Sequence, residues 1–281
     1  MQASGHLDWL AVTYQTCASY LELLPDPARG FPLELQGAGV HGYRSRLVNK
    51  LGCVVMADGL PGQGVHVIFT GEPLQELRLL GVNDHALALL VKAHGGKVSR
   101  LDVALDLIGG TMTRDDLVTA FLAGEVVTRA RSGKLWKDLI TPEGTFYVGS
   151  AASNKLFRAY DKGAQVKSEV SWLRLELQTR RLHAQAITEA LQGSENTRAV
   201  INRAVDDFID FPGQAEFRQA VSGAEVEIPI VHRKLTNTLR WLIEQVAPAV
   251  VKYQRQHPDE DVQAILNAAI EQEKRHMSDN R

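Results

Sequence analysis

The sequence lacks the features of a secreted or membrane protein. Cys17 and Cys53 are its only cysteines, which favours the reducing environment of the cytoplasm. No apolar run reaches the roughly 18 residues that a membrane-spanning helix needs, so no membrane partner is expected. The first residues include Asp8 and no continuous apolar core, so we also expect no signal peptide.

Support for a nucleotide-binding fold is missing as well. No G-x-G-x-x-G or P-loop sequence supports such a function. The order of predicted elements, with antiparallel hairpins in place of strict β-α-β alternation, also argues against a Rossmann sheet.

A strong positive charge is absent from the chain as a whole but not from one of its segments. The formal net charge is -2. Residues 129–181, however, hold eleven Lys/Arg against five Asp/Glu, whereas 1–128 and 182–281 each carry an acidic excess of four. A basic segment within a near-neutral chain fits a phosphate-binding face better than a general polyanion binder, although a solvated surface would show the same charges.

Hydrophobic periodicity predicts an α+β fold. The composition, 44% hydrophobic and 23% charged, is that of a globular protein. We expect a central, mainly antiparallel curved sheet with flanking helices over 1–181, and a helical region over 182–281. The predicted strands are 7–14, 43–47, 52–56, 65–70, 98–107, 145–148, 155–160 and 172–178. Two helices are predicted within 73–94, and five more over 113–121, 182–191, 195–209, 230–255 and 259–276. Asn83 or Asp84 would cap the second helix and Thr113 the third, and Pro248 would kink or break the helix 230–255.

The hairpin predicted over 145–160 carries groups suited to phosphate chemistry. Arg158, Tyr160 and Lys162 are spaced two apart and therefore point to one face. Arg grips a phosphate through two hydrogen bonds, Lys neutralises it as a point charge, and a phenol between two cations is biased toward phenolate. The alternative is an exposed edge or a half-buried packing residue.

Two further strands place charged groups on one face. Arg100, Asp102 and Asp106 alternate with leucine and valine, as do Arg174 and Glu176. Such carboxylates meet solvent or share a partner, and a hard cation such as Mg²⁺ or Mn²⁺ would relieve their repulsion. Two ordinary amphipathic strands, with Asp106 paired to Arg100, are the alternative.

Four motifs in order resemble the replication initiation factor family, the Rep_trans type of rolling-circle initiators of plasmids and filamentous phages. They are Arg100-x-Asp102-x-Ala-x-Asp106, Thr145-x-Tyr147-x-Gly149-Ser150-x-x-Ser153, Arg158-x-Tyr160-Asp-Lys162 and Arg174-x-Glu176. The resemblance implies a DNA-nicking enzyme with a tyrosine nucleophile and a carboxylate-bound divalent metal. It also implies a fold distantly akin to the His-hydrophobe-His endonucleases, and the chain has no His-x-His pair.

The resemblance suggests roles for individual residues. Some plasmid members have a second Tyr shortly after the motif that matches Arg158-x-Tyr160-Asp-Lys162, but residues 161–166 contain none. Tyr160 is therefore the predicted nucleophile, and Tyr147 remains its rival. The Mg²⁺ or Mn²⁺ ligands would be Asp102, Asp106 and Glu176, and the developing charge would be neutralised by Arg158, Lys162 and Arg174. Further DNA contacts are expected from Arg100, Lys155, Arg180, Arg233 and Lys234.

The expected partners are double- and single-stranded origin DNA, with a host helicase and a second copy of the chain left open. Two other functions also stay open: a conjugative relaxase of the same chemistry, and a non-catalytic, sequence-specific DNA-binding protein on the same scaffold. A tyrosine recombinase is disfavoured, because its Arg, His-x-x-Arg and late Tyr do not occur in order. In the C-terminal helices, 230–276, an apolar stripe beside basic residues fits either packing on the body or contacts with duplex DNA.

Overall fold

The computed structural model describes residues 1–128, 130, 133–136, 144–223, 226–229 and 246–279. The chain divides into two compact units, Met1–Ile230 and Val231–Arg281. The boundary predicted after residue 181 falls inside the first unit, because the helices that follow it pack against the sheet. No described helix is long and apolar enough to cross a bilayer.

Antiparallel pairing organises the first unit. The described strands, in chain order, are β1 Gln2–Tyr14, β2 Glu34–Leu35, β3 Ser45–Val48, β4 Val54–Ala57, β5 Val65–Phe69, β6 Lys97–Ile108, β7 Val127–Thr128, β8 Gly133–Trp136, β9 Thr145–Gly149, β10 Lys155–Asp161, β11 Trp172–Arg180 and β12 Ile209–Asp210. Ten of them form one sheet in the order β2-β3-β4-β5-β1-β6-β11-β10-β9-β8, and β7 pairs with β12. Every pairing among the described strands is antiparallel, so the predicted α+β class with an antiparallel sheet is confirmed.

Helices cover the apolar face of this sheet. The described α-helices are α1 Asp26–Arg29, α2 Gly71–Leu79, α3 Asp84–Ala93, α4 Arg114–Leu122, α5 Lys162–Val166, α6 Leu182–Gly193, α7 Thr197–Asp206, α8 Ala215–Val221, α9 Ala247–Gln256 and α10 Val262–Asp279. Alternate leucine and valine side chains of β6 and β11 are buried, and α6 and α7 pack over these strands. Burial of one such side chain stabilises the fold by about 1.5–3 kcal/mol. Gly5 allows α7 to approach closely, because a Cβ there would lie 3.1 Å from side-chain atoms of both Ile201 and Leu105.

Local signals account for several helix ends. Asn83 accepts a hydrogen bond from the Ala86 amide at the start of α3, and Thr113 forms a capping box with Asp116 at the start of α4, so both predicted caps are confirmed. Pro248 lies in the first turn of α9, where its missing N–H costs little. Residues 230–245 of the predicted helix 230–255 lie outside the described residues, so the kink or break expected at Pro248 stays a prediction.

Two short helices could not be predicted from the sequence pattern. Neither α5 nor α8 was predicted, because five and seven residues give too few turns for helical periodicity to show. One G-x-G-x-x-G sequence is present after all, at Gly37, Gly39 and Gly42, so its absence does not count against a nucleotide-binding site. They lie between β2 and β3, however, and open no helix.

Candidate active site

One face of the sheet gathers the polar side chains that the alternation pattern predicted to lie together. Strands β1, β6, β11, β10 and β9 are neighbours in that order. The register sets Tyr160 opposite Arg174, Arg158 opposite Glu176, and Arg174 opposite Asp106. Since alternate residues of a strand share a face, a nucleophile candidate, two arginines and two acids meet across three adjacent strands.

An open cleft of about 880 Å³ lies over this face. The strands form its floor, and its walls include residues of α2 and α5. The predicted site residues that line it are Arg100, Asp102, Tyr147, Arg158, Tyr160, Lys162, Arg174 and Glu176. Asp106 lies just beneath as a partner of Arg174.

The predicted DNA contacts are more scattered. Arg100 lines the cleft, but Lys155 and Arg180 do not. The Lys155 ammonium lies 5.9 Å from the centre of the Phe208 ring, and Arg180 donates a hydrogen bond to a backbone carbonyl of the β9–β10 turn. Arg233 and Lys234 fall outside the described residues, and so does the predicted start of the helix that carries them.

The Tyr160 hydroxyl donates a hydrogen bond to Glu176 Oε1. The glutamate is buried, whereas the tyrosine is partly exposed to the cleft. Burial and the negative charge of Glu176 raise the pKa of the Tyr160 phenol, so the expected bias toward phenolate is wrong for this state of the protein. Burial also raises the pKa of Glu176, although the Arg158 guanidinium opposes the shift. The pair is a phenol that holds its proton next to a carboxylate able to accept it.

Arg158 links two of the predicted acids. Its Nη2 lies 2.5 Å from Glu176 Oε2 and 3.1 Å from Asp102 Oδ2. Arg100 meets Asp102 through two nitrogens, at 3.0 and 2.6 Å. Two guanidinium groups therefore neutralise the buried carboxylates Asp102 and Glu176 and fix their orientation.

A second ion cluster is built on Arg174. Its fork meets Asp106 at 2.7 and 2.8 Å, and its Nη1 lies 3.0 Å from Asp8 Oδ1. His6 Nδ1 lies 3.7 Å from Asp106, and burial lowers the pKa of His6 to about 4. The structure pairs Asp106 with Arg174 and not with Arg100.

Sequence reasoning missed the contribution of β1 to this cluster. His6, Asp8 and Trp9 all line the cleft. A register shift between Leu7 and Trp9 lets the neighbours Asp8 and Trp9 face the same side, which strict alternation forbids. The available signal was a carboxylate inside an otherwise apolar strand.

The three carboxylates predicted to bind metal are engaged with guanidinium groups. Asp102 meets Arg100 and Arg158, Glu176 meets Arg158, and Asp106 meets Arg174. Within the described ranges, no group of three His, Cys, Asp or Glu side chains is placed to hold a metal ion. The observed arrangement is thus a network of ion pairs, which does not fit a three-carboxylate centre of Asp102, Asp106 and Glu176.

Lys162 stands at the rim of the cleft, at the start of α5. Its ammonium donates a hydrogen bond to Gln165 Oε1 at 2.7 Å. Burial and the nearby Arg174 lower the pKa of Lys162. This cation is bonded to a neutral amide, unlike Arg158 and Arg174, and so it is available to meet a phosphate.

Comparison with known proteins adds to this geometry. The sequence pattern described as replication initiation factor (Rep_trans) matches residues 96–267. A solved structure described as a rolling circle replication initiator protein from Geobacillus stearothermophilus is similar to this chain, with 22% identity and a TM-score of 0.65. The match covers 85% of this chain and 96% of that chain, and at this identity it shows the fold alone. No curated protein matches the chain at a significant level.

Proposed function

The chain belongs to the replication initiation factor family, and from this premise and the site geometry we propose that it nicks one strand of origin DNA through Tyr160 to start rolling-circle replication. The observation that carries the proposal is the hydrogen bond from the Tyr160 hydroxyl to Glu176 inside an open, cation-lined cleft. A nucleophile that touches a base in turn oriented by a third group, here Arg158, is the usual arrangement for covalent catalysis.

In the proposed reaction, the Tyr160 oxygen attacks the phosphorus of a phosphodiester while its proton passes to Glu176. The bond from phosphorus to the 3′ oxygen breaks, and that oxygen takes a proton from Lys162 or from water. The products are a 5′-phosphotyrosine and a free 3′-hydroxyl that a polymerase can extend. Because the phosphotyrosine keeps an activated phosphodiester, the strand can later be rejoined.

Proton transfer to Glu176 would also change the charge of the cleft. Around Tyr160, the cations Arg100, Arg158, Arg174 and Lys162 lie close to the carboxylates Asp8, Asp102, Asp106 and Glu176. When Glu176 becomes neutral, Arg158 loses one of its two counter-charges. A positive charge is then uncovered beside the phosphate as negative charge develops on it, which is the stabilisation that phosphoryl transfer requires.

The test uses the full-length protein, a supercoiled plasmid that bears the origin of its own replicon, and Mg²⁺ or Mn²⁺. We expect open circles with covalently attached protein. Tyr160→Phe should abolish attachment and keep DNA binding, because only the hydroxyl is removed. Tyr147→Phe is the matched control, since Tyr147 lies opposite Arg158 on β9 and lines the same cleft.

Each outcome has a defined meaning. Attachment by Tyr160→Phe but not by Tyr147→Phe would move the nucleophile to Tyr147. Binding by the wild-type protein without any nick would indicate a DNA-binding protein and refute the proposed reaction. A parallel reaction in EDTA, followed by addition of Mn²⁺, tests the predicted metal requirement separately from the choice of nucleophile.

A further inference from the structure

A second cavity opens beside the cleft on the same face of the sheet. We call it the aromatic groove and define it by Trp9, Tyr43, Met56, His66, Ile68 and Arg100. Its volume is about 650 Å³, within the range of about 300–1,000 Å³ that is usual for small-molecule sites. The proposed nicking reaction does not use this cavity.

The groove continues directly from the cleft. Trp9 and Arg100 line both cavities. On β1, Trp9 pairs with Asp102 of the cleft, and two residues later Ala11 pairs with Arg100 on β6 and with Ile68 on β5. The face of the sheet that forms the floor of the cleft therefore continues into the groove. A strand of DNA whose phosphate reached Tyr160 would therefore have its neighbouring nucleotides beside the groove.

The groove presents flat π-surfaces and few charges. The Arg100 guanidinium lies 4.2 Å from the centre of the Trp9 ring, and its hydrogen bonds to Asp102 hold it there. The rings of Tyr43 and His66 are nearly parallel, with centres 6.1 Å apart. The imidazole of His66 is fixed by a 2.9 Å hydrogen bond with Thr13 Oγ1. Aromatic rings and guanidinium planes are the surfaces on which unpaired bases stack.

We propose that the aromatic groove binds one or two unpaired bases of single-stranded DNA next to the phosphate that Tyr160 attacks. The inference rests on the proposed function for the identity of the ligand. The phosphate-binding cleft supplies the charge complementarity, and continuity through Trp9 and Arg100 supplies the path. Duplex DNA does not fit the same surfaces, because its bases are already stacked on one another.

The first experiment is photocrosslinking of the full-length Tyr160→Phe variant to a short single-stranded oligonucleotide of 5-iododeoxyuridine. The uracil crosslinks to aromatic side chains on which it stacks, so we expect mass spectrometry to find the adduct on Trp9, Tyr43 or His66. Adducts found only elsewhere in the chain would overturn the proposal. Because this measurement needs no nicking, groove crosslinks in the variant together with an absence of nicking by the wild-type protein would refute the proposed function alone.

The second experiment measures affinity. Ser99 is exposed and lines the groove, so Ser99→Phe should fill it and weaken binding of the oligonucleotide by about tenfold, with duplex affinity unchanged. Ser222→Phe, the same substitution after α8, is the matched control and should bind as the wild type does. Trp9→Leu should weaken binding similarly, and Trp9→Phe should restore most of it because a ring is kept. Wild-type affinity of Ser99→Phe, or an equal loss for duplex DNA, would contradict a single-strand site.

Discussion

Glu176→Gln is the substitution that most directly tests the proposed chemistry. Glutamine keeps the volume of the side chain and can still accept a hydrogen bond from the Tyr160 hydroxyl. It cannot take the proton, however, and it no longer carries the charge that faces Arg158 Nη2 at 2.5 Å. The variant therefore removes the proposed base and leaves the nucleophile in place.

Two magnitudes follow from the structure. General-base catalysis contributes about 10²–10⁴-fold, so we expect nicking to fall by a factor in that range. The cost in stability should be smaller than the about 3–5 kcal/mol of a fully orphaned buried charge, because Arg158 keeps Asp102 at 3.1 Å. We expect about 1–3 kcal/mol, measured by denaturant unfolding.

The assay is the rate of covalent complex formation on a single-stranded origin oligonucleotide, followed over a range of pH. The base must be ionised, so the wild-type rate should be lost as the pH falls through the pKa of Glu176, which burial raises above its ordinary value. Glu176→Gln should lack this acid limb. Glu72→Gln, an exposed carboxylate on the cleft wall, is the control and should keep it.

Two results would refute the reasoning. A Glu176→Gln rate within about tenfold of wild type would leave too little for a general base to explain. Recovery of that rate in excess Mn²⁺ would instead identify Glu176 as a metal ligand, because added metal can compensate for a weakened site but not for a missing proton acceptor.

Two further predictions concern the network of ion pairs. Arg174→Lys should destabilise the protein by about 2–3 kcal/mol in urea unfolding, because an ammonium cannot reproduce the paired hydrogen bonds to Asp106. Arg218→Lys, in an exposed pair, should have a much smaller effect, and equal costs would contradict the argument. His6→Gln should reduce acid destabilisation. Burial lowers the pKa of His6 from 6.5 to about 4, so between those pH values folded His6 binds fewer protons than unfolded His6. The free energy of unfolding of the wild-type protein should therefore decrease by up to about 3 kcal/mol as the pH is lowered from 6.5 to about 4. Urea unfolding of both proteins at pH 7 and pH 4.5 tests this, and an equal loss of stability in the two would contradict it.

The side-chain pattern along single strands was predictable. Because a strand alternates its faces, the spacing of Arg100, Asp102, Asp106, Arg174 and Glu176 was enough to set them on one side of a sheet. The same rule set Tyr160 with Arg158. Family membership was also predictable, since all four motifs lie within the matched range of residues 96–267.

The pairing of charges across strands was not predictable, because it depends on strand order. β11 lies between β6 and β10, so Arg174 reaches Asp106 on one side and faces Tyr160 on the other. Burial was missed for the same reason. Asp102 and Glu176 were expected to meet solvent or a shared cation, yet they are 1% and 2% exposed and bonded to arginines.

The basic segment 129–181 has a different meaning once these pairs are known. Two of its cations, Arg158 and Arg174, are bound by Asp8, Asp102 and Asp106, which come from strands outside the segment. The charge surplus in the sequence is therefore not a static positive field at Tyr160. Apolar side chains of similar volume would often stabilise the fold at least as well as these buried ion pairs, but they would contain no group whose charge can change. In the proposed reaction, one proton moved from Tyr160 to Glu176 removes one negative charge from the cluster beside the phosphate, and this change, more than the surplus in the sequence, is what the buried ion pairs supply to catalysis.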